Sequence, residues 1–195
     1  TPFFCYLATY SPHAPLAAPE EFVAPFRGKV DKEEAAYLGM VANLDYNLGR
    51  LMKYLQARKL EDNTIIVFMN DNGGTAGTKV FNAGMRAQKG TAFMGGIRAI
   101  SFWRLPGRFQ PSDVKALAAH IDVAPTILEL TGTPASATMQ AQMEGRSLLP
   151  LLTAKVGQQV AWPDRTLFTH VGRWNGADPE VGRYANTSVR TARWC

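Results

Sequence analysis

Cysteine is scarce in this chain: Cys5 and Cys195 are the only two among 195 residues. Two thiols at opposite ends make neither a disulfide framework nor a metal-binding spacing. Cys5 falls within Phe3-Phe4-Cys5-Tyr6-Leu7-Ala8, where a buried strand thiol is expected rather than a reactive one. Long hydrophobic runs are missing as well. None approaches the roughly eighteen residues that a bilayer span requires, so no membrane span is expected. There is no basic block either. The 21 Lys and Arg, which leave a net charge of +5, are dispersed along the chain, and a surface that tracks a nucleic-acid backbone is not expected. A small acidic substrate suits that balance better. An initiator Met and a signal peptide are also absent. Both ends read as cuts: Thr1 opens directly on an apolar run, and Arg193-Trp194-Cys195 stops inside a beginning strand.

What is present is a globular composition, 46% hydrophobic and 19% charged, long enough for one sizeable core. Phe3 to Tyr10, bounded by Pro2 and Pro12, predicts a buried strand. Ser11-Pro12-His13-Ala14-Pro15 must then be irregular, because two prolines in four residues exclude helix and central strand. Asp31 with Glu34 resembles a capping box. Behind it Tyr37, Val41, Leu44, Leu48, Leu51 and Leu55 line one helical face. Thr64 to Met69 is β-branched and apolar, the pattern of a central parallel strand. Strand, helix and strand in this order predict an α/β domain with right-handed crossovers.

Asn70 to Gly96 carries seven glycines and no periodicity, and loops of that length inside a domain are usually functional. Ala99 to Trp103 predicts the next strand, Asp113 to Ala119 a short helix, and Asp122 to Leu130 a second helix capped by Asp122 and stopped by Gly132. Thr133 to Glu144 reads as a polar loop and Leu148 to Leu152 as a short apolar segment. Thr166 to His170, Gly172-Arg173-Trp174 and Ser188 to Trp194 read as antiparallel strands of a smaller unit. The domain reading is therefore 1–160 for the main α/β domain and 161–195 for the start of a small subdomain.

Ligands in open α/β sheets bind beyond the carboxyl ends of strands, and two such ends carry chemistry. His13 follows the first strand. Asp71 and Asn72, in Met69-Asn70-Asp71-Asn72-Gly73-Gly74, follow the second. A carboxylate and an amide oxygen beside two glycines suit a hard cation such as calcium or magnesium. Taken alone, Asp-Asn-Gly-Gly is more often an ordinary turn.

Five ordered segments change that reading: FFCYLATYSPHAP (3–15), NLDYNLGRL (43–51), DNTIIVFMNDNGG (62–74), KGTAFMGGIR (89–98) and HIDVAPTILELTG (120–132). Together they resemble the sulfatase family, arylsulfatase-like members of the alkaline-phosphatase-like superfamily, across nearly the whole chain. The resemblance implies that Asp71 and Asn72 ligate the active-site cation, usually Ca2+ with Mg2+ as the alternative. It implies that Lys89 contacts the sulfate and that His13 lies near the ester oxygen to assist the departing alcohol. Met94 stands where an acidic residue is common in the family. Arg98 is expected to form an ion pair or face the site. His120 and Asp122 are expected to serve hydrogen bonding and capping, and His170 and Trp174 fall where a substrate pocket can form.

The family nucleophile is a formylglycine made from Cys or Ser in Cys/Ser-x-Pro/Ala-x-Arg. Neither Cys5 nor Cys195 fits that pattern, so the nucleophile and the remaining metal ligands are expected in an N-terminal part outside this chain. With only part of the ligand set here, the cation is expected to bind weakly. Three readings compete: part of a sulfatase acting on a sulfated small molecule or saccharide, a phosphodiesterase or phosphonate hydrolase of the same superfamily, and an inert binding or structural module. The resemblance favours a periplasmic or secreted location. It also predicts exposed apolar sheet surface, covered by the missing N-terminal segment or by self-association.

Overall fold

The computed structural model describes residues 1–172 and 179–194, arranged as two compact units. The first comprises Thr1–Glu61 and Asn70–Ala99, the second Asp62–Met69 and the chain from Ile100 onward.

In the first unit, α1 (Glu20–Val23) runs through a 3-10 turn over Ala24–Phe26 and is followed by the long helix α2 (Lys32–Ala57). The cap read from the sequence forms: Asp31 Oδ1 accepts from the Glu34 backbone N–H at 2.8 Å, a bond worth about 1 kcal/mol at a helix N-terminus. The buried face of α2 differs from the expected stripe. Ala35, Gly39, Met40 and Leu55 are buried, whereas Val41 and Leu51 are exposed. The reason is the close approach of α1. A Cβ on Gly39 would stand 2.8 Å from Val23 Cγ2, so at that crossing only a glycine fits.

The strand expected over Phe3 to Tyr10 does not form. Residues 1–10 are irregular and exposed, and Cys5 is an exposed free thiol rather than a buried one. A strand exists only where a ladder satisfies its backbone groups, and among the described residues none pairs with this segment. The expected parallel crossover is corrected with it. In the second unit β1 (Ile66–Met69) pairs antiparallel with β2 (Ser101–Arg104), Ile66 opposite Arg104 and Met69 opposite Ser101. The Phe68 and Phe102 rings stack at 6.5 Å. The intervening 70–99 segment belongs to the first unit and holds one short helix, α3 (Met94–Ile97).

Asp113 to Ala119 is irregular, not helical. A single turn from His120 to Asp122 leads into α4 (Val123–Thr131), closed by Gly132 at φ 65°, the left-handed C-terminal stop expected of glycine. The Thr133–Glu144 region, read as a loop, contains α5 (Ala137–Gln142), whose Met139 N–H donates to Ser136 Oγ at 3.2 Å. Side-chain capping by serine initiates this helix without an apolar stripe to announce it. Then come α6 (Leu149–Leu152), β3 (Leu167–His170), α7 (Pro179–Gly182) and β4 (Thr187–Arg190). β3 and β4 form the expected antiparallel pair, Leu167 opposite Arg190. The ladder ends at Arg190 rather than continuing to Trp194. Arg173 and Trp174, and Cys195, lie outside the described residues.

Buried apolar residues are few in the second unit, Leu105 and Leu148 among them, and polar residues complete the core: Asp122, Thr126 and Arg165 are buried. Thr126 Oγ1 links α4 to the α6 approach by accepting from the Leu148 N–H at 2.8 Å.

Candidate functional site

Asp71, Asn72, Lys89 and His13 all fall in the first unit. The first three are tied together by backbone. Gly73 N–H donates to Gly96 O at 2.9 Å, Lys89 N–H to Gly74 O at 3.0 Å, and Gly95 N–H to Arg86 O at 2.8 Å. Glycine is required at these crossings: a Cβ on Gly73 would overlap the Gly95 carbonyl, and one on Gly95 would overlap the Ala87 carbonyl. The run of glycines lets 71–74, 86–89 and 95–96 pack backbone to backbone.

Side chains reinforce the knit. Asn82 Nδ2 donates to Met85 O at 2.8 Å and to Ala87 O at 2.9 Å. Thr91 Oγ1 donates to Gln88 O at 2.8 Å, and Thr78 Oγ1 lies 3.2 Å from Gln88 Oε1. Helix α2 supports the loop through Tyr37, whose ring packs where a Cβ on Gly77 would come within 2.5 Å of Cε1. Burial there raises the Tyr37 phenol above its ordinary pKa, because the low dielectric disfavours phenolate.

At the tip of this loop Asp71 is exposed and Asn72 half-buried, while Lys89 is half-buried. Asn70 Nδ2 donates to the Asn72 carbonyl, closing the turn that presents Asp71. His13 stands apart. Its backbone N–H donates to Tyr10 O at 3.0 Å, its ring meets the Tyr10 ring edge-on at 6.1 Å, and its Nδ1 is 2.9 Å from Ala14 O. A carbonyl oxygen only accepts, so this contact puts the proton of the neutral ring on Nδ1 and leaves Nε2 as the second nitrogen. Among the described residues no hydrogen bond or ring contact joins His13 to Asp71, Asn72 or Lys89.

The donor set at Asp71 and Asn72 consists of oxygens only, which suits a hard dication, yet two side chains fall short of the six to eight or so oxygens calcium takes. Among the described residues no group of three His, Cys, Asp or Glu side chains is placed to hold a metal ion. The donors fit as part of a shell.

The remaining expectations separate. Arg98 is exposed and makes no ion pair among the described residues. Asp122 precedes α4, but its carboxylate does not cap that helix. Oδ2 accepts from Ala119 N–H at 2.7 Å and Oδ1 from Arg146 N–H at 2.8 Å, and Arg165 Nη1 binds both oxygens. His170 Nε2 lies 3.3 Å from Gly182 O. Sequence reasoning passes over Arg86, whose guanidinium sits 3.8 Å from the Phe93 ring centre. The signal that could have found it is charge asymmetry, since residues 72–112 contain no Asp or Glu.

Comparison with known proteins identifies the family. The Sulfatase family model matches residues 1–133. A sulfatase of Formosa agariphila is 28% identical over 184 residues, covering 87% of this chain and 33% of that protein. Human arylsulfatase A is 31% identical over 157 residues, covering 77% and 29% respectively. The crystal structure of Ps i-CgsB in complex with k-i-k-neocarrahexaose superimposes with a TM-score of 0.63 at 30% identity, over 72% of this chain and 31% of that one. The chain thus spans about a third of the length of the relatives it matches. The family match over most of the chain, together with the shared α/β fold of alkaline-phosphatase-like type, establishes that this chain belongs to the sulfatase family of sulfuric ester hydrolases.

Proposed function

We propose that the protein to which this chain belongs hydrolyses a sulfate ester, and that these residues supply part of its sulfate and cation site. The observation that carries the reading is the Lys89 N–H to Gly74 O hydrogen bond at 3.0 Å. It holds the backbone of Lys89 against Gly74, two residues from Asn72 and three from Asp71.

In this reading the Lys89 ammonium holds the sulfate and offsets the charge that builds on the bridging oxygen as the S–O bond breaks. As the imidazolium, with a second proton on Nε2, His13 gives that proton to the departing alkoxide and is left neutral; Nδ1–H, held by the Ala14 carbonyl, keeps the ring oriented. The Asp71 carboxylate and the Asn72 amide oxygen would hold calcium, or magnesium, which when bound polarises the sulfate. The formylglycine nucleophile of the family belongs to the part of the protein outside this chain, and the chain by itself is inactive. Residues 1–160 form part of the catalytic α/β domain and 161–195 open the smaller subdomain. A sulfated saccharide is the favoured substrate, supported by the oligosaccharide complex of the structural relative. A periplasmic or secreted location belongs to the same reading; among the described residues no helix is long and apolar enough to cross a membrane. Phe4, Tyr6 and Leu7, at 84%, 84% and 70% exposure, support a covering segment or a self-association partner.

The test is an assay of the full-length protein and of this chain with 4-nitrophenyl sulfate and bis(4-nitrophenyl) phosphate. Turnover of the sulfate by the full-length protein alone is expected. Preference for the phosphate diester moves the reading to a phosphodiesterase, inertness toward both moves it to a binding module, and robust turnover by the isolated chain overturns the missing nucleophile.

A further inference from the structure

We propose that Arg86, stacked on Phe93, is a specificity residue that binds a second anionic group of the substrate beside the sulfate held by Lys89. The proposal rests on the sulfatase reading above and deepens it: the substrate class becomes a saccharide carrying at least two sulfates, or a sulfate and a carboxylate.

Three observations carry it. The first is charge. Residues 72–99 hold four cations, Lys79, Arg86, Lys89 and Arg98, and no carboxylate. None of the four is paired with a carboxylate among the described residues. So many uncompensated cations on one loop repel one another, a cost that an anionic ligand would relieve. The second is geometry. The Arg86 guanidinium lies 3.8 Å from the Phe93 ring centre. Stacking occupies the face of the guanidinium and leaves its edge free, and the edge carries the N–H fork that matches a sulfate or carboxylate bidentately. Both side chains are exposed, Phe93 at 44%, so the fork is open to a ligand. An aromatic ring beside it also offers an apolar face to a sugar.

The third observation is registration with the site. The Arg86 carbonyl accepts from Gly95 N–H at 2.8 Å, and Gly96 in turn accepts from Gly73 N–H at 2.9 Å. Arg86 is thus locked to the same backbone knit that carries Asp71, Asn72 and Lys89. A surface arginine on a free loop would lose its binding energy to ordering. This one is preorganised by the glycine contacts and by its ring.

The experiment uses the full-length enzyme and two disaccharides of one sugar backbone, monosulfated and disulfated. The unmodified enzyme is expected to prefer the disulfated sugar in KM. Arg86→Ala should lower that preference about ten-fold, and Arg86→Lys, which keeps charge but loses the fork, should restore only part of it. Phe93→Leu, which removes the stacking platform, should lower it by a smaller factor. A preference left unchanged in Arg86→Ala overturns the proposal even if both activities drop together, and so does an unmodified enzyme with no preference. If the full-length enzyme cleaves neither sugar nor 4-nitrophenyl sulfate, the sulfatase reading fails on its own. The Arg86 subsite is then judged by calorimetric Kd values for the same two disaccharides, where an equal Kd ratio in the unmodified and Arg86→Ala proteins overturns it.

Discussion

Arg165 Nη1 lies 2.8 Å from both carboxylate oxygens of Asp122, forty-three residues away in sequence, with Asp122 fully buried and Arg165 9% exposed. The same carboxylate accepts the backbone N–H groups of Ala119 and Arg146. Arg146 extends the network by donating from Nη1 to the Pro163 carbonyl at 2.7 Å. One acid therefore organises the turn before α4, the approach to α6 and the segment leading into β3.

Removing either partner strands a buried charge, so Asp122→Ala and Arg165→Met are each expected to cost about 3–5 kcal/mol. The double variant is not expected to recover fully. Losing the carboxylate also orphans two backbone N–H groups, at about 1–3 kcal/mol each. Urea unfolding of the four proteins in a double-mutant cycle measures both parts, and full recovery in the double variant would refute the backbone share.

Gly73→Ala is expected to open the loop that presents Asp71 and Asn72. Its Cβ meets the Gly95 carbonyl, which is backbone and cannot rotate away. A stability loss of about 1–3 kcal/mol follows from such overpacking, together with weaker calcium binding, read by calorimetry on the full-length protein. Gly49→Ala, where a Cβ meets nothing within 4 Å, serves as the control and should be neutral or slightly stabilising.

Tyr37 gives the loop a pH limit. Burial raises its folded pKa above the ordinary phenol value of about 10. The protonated ring is thus favoured by folding, and its contribution is complete below pH about 10 and lost as pH rises through the folded pKa. Thermal unfolding between pH 8 and 11 should show a fall in Tm above pH 10 that is shallower in Tyr37→Phe. Equal slopes would contradict the half-buried phenol.

Lys89→Ala in the full-length enzyme is expected to lower kcat/KM for a sulfate ester about 10²–10³-fold, the scale of losing one preorganised charge partner. Inorganic sulfate, tested as an inhibitor, should bind more weakly in parallel. Unaltered sulfate inhibition would remove Lys89 from the anion site.

The sequence by itself determined the elements whose signals are local. The Asp31 cap and the helix behind it and the Gly132 stop follow from neighbours a few residues apart, and the family was legible in five ordered motifs. Tertiary structure decided what depends on partners distant in the chain. Phe3 to Tyr10 has strand composition, but without a ladder its backbone takes none, and its aromatic residues stay exposed. Ile66–Met69 pairs antiparallel because its neighbour in space is Ser101–Arg104, a fact that no pattern within either strand encodes. Asp71, Asn72 and Lys89 were found by motif. Only the backbone crossings at Gly73, Gly95 and Gly96 show why so many glycines separate them: carbonyls and amides pack there with no room for a Cβ.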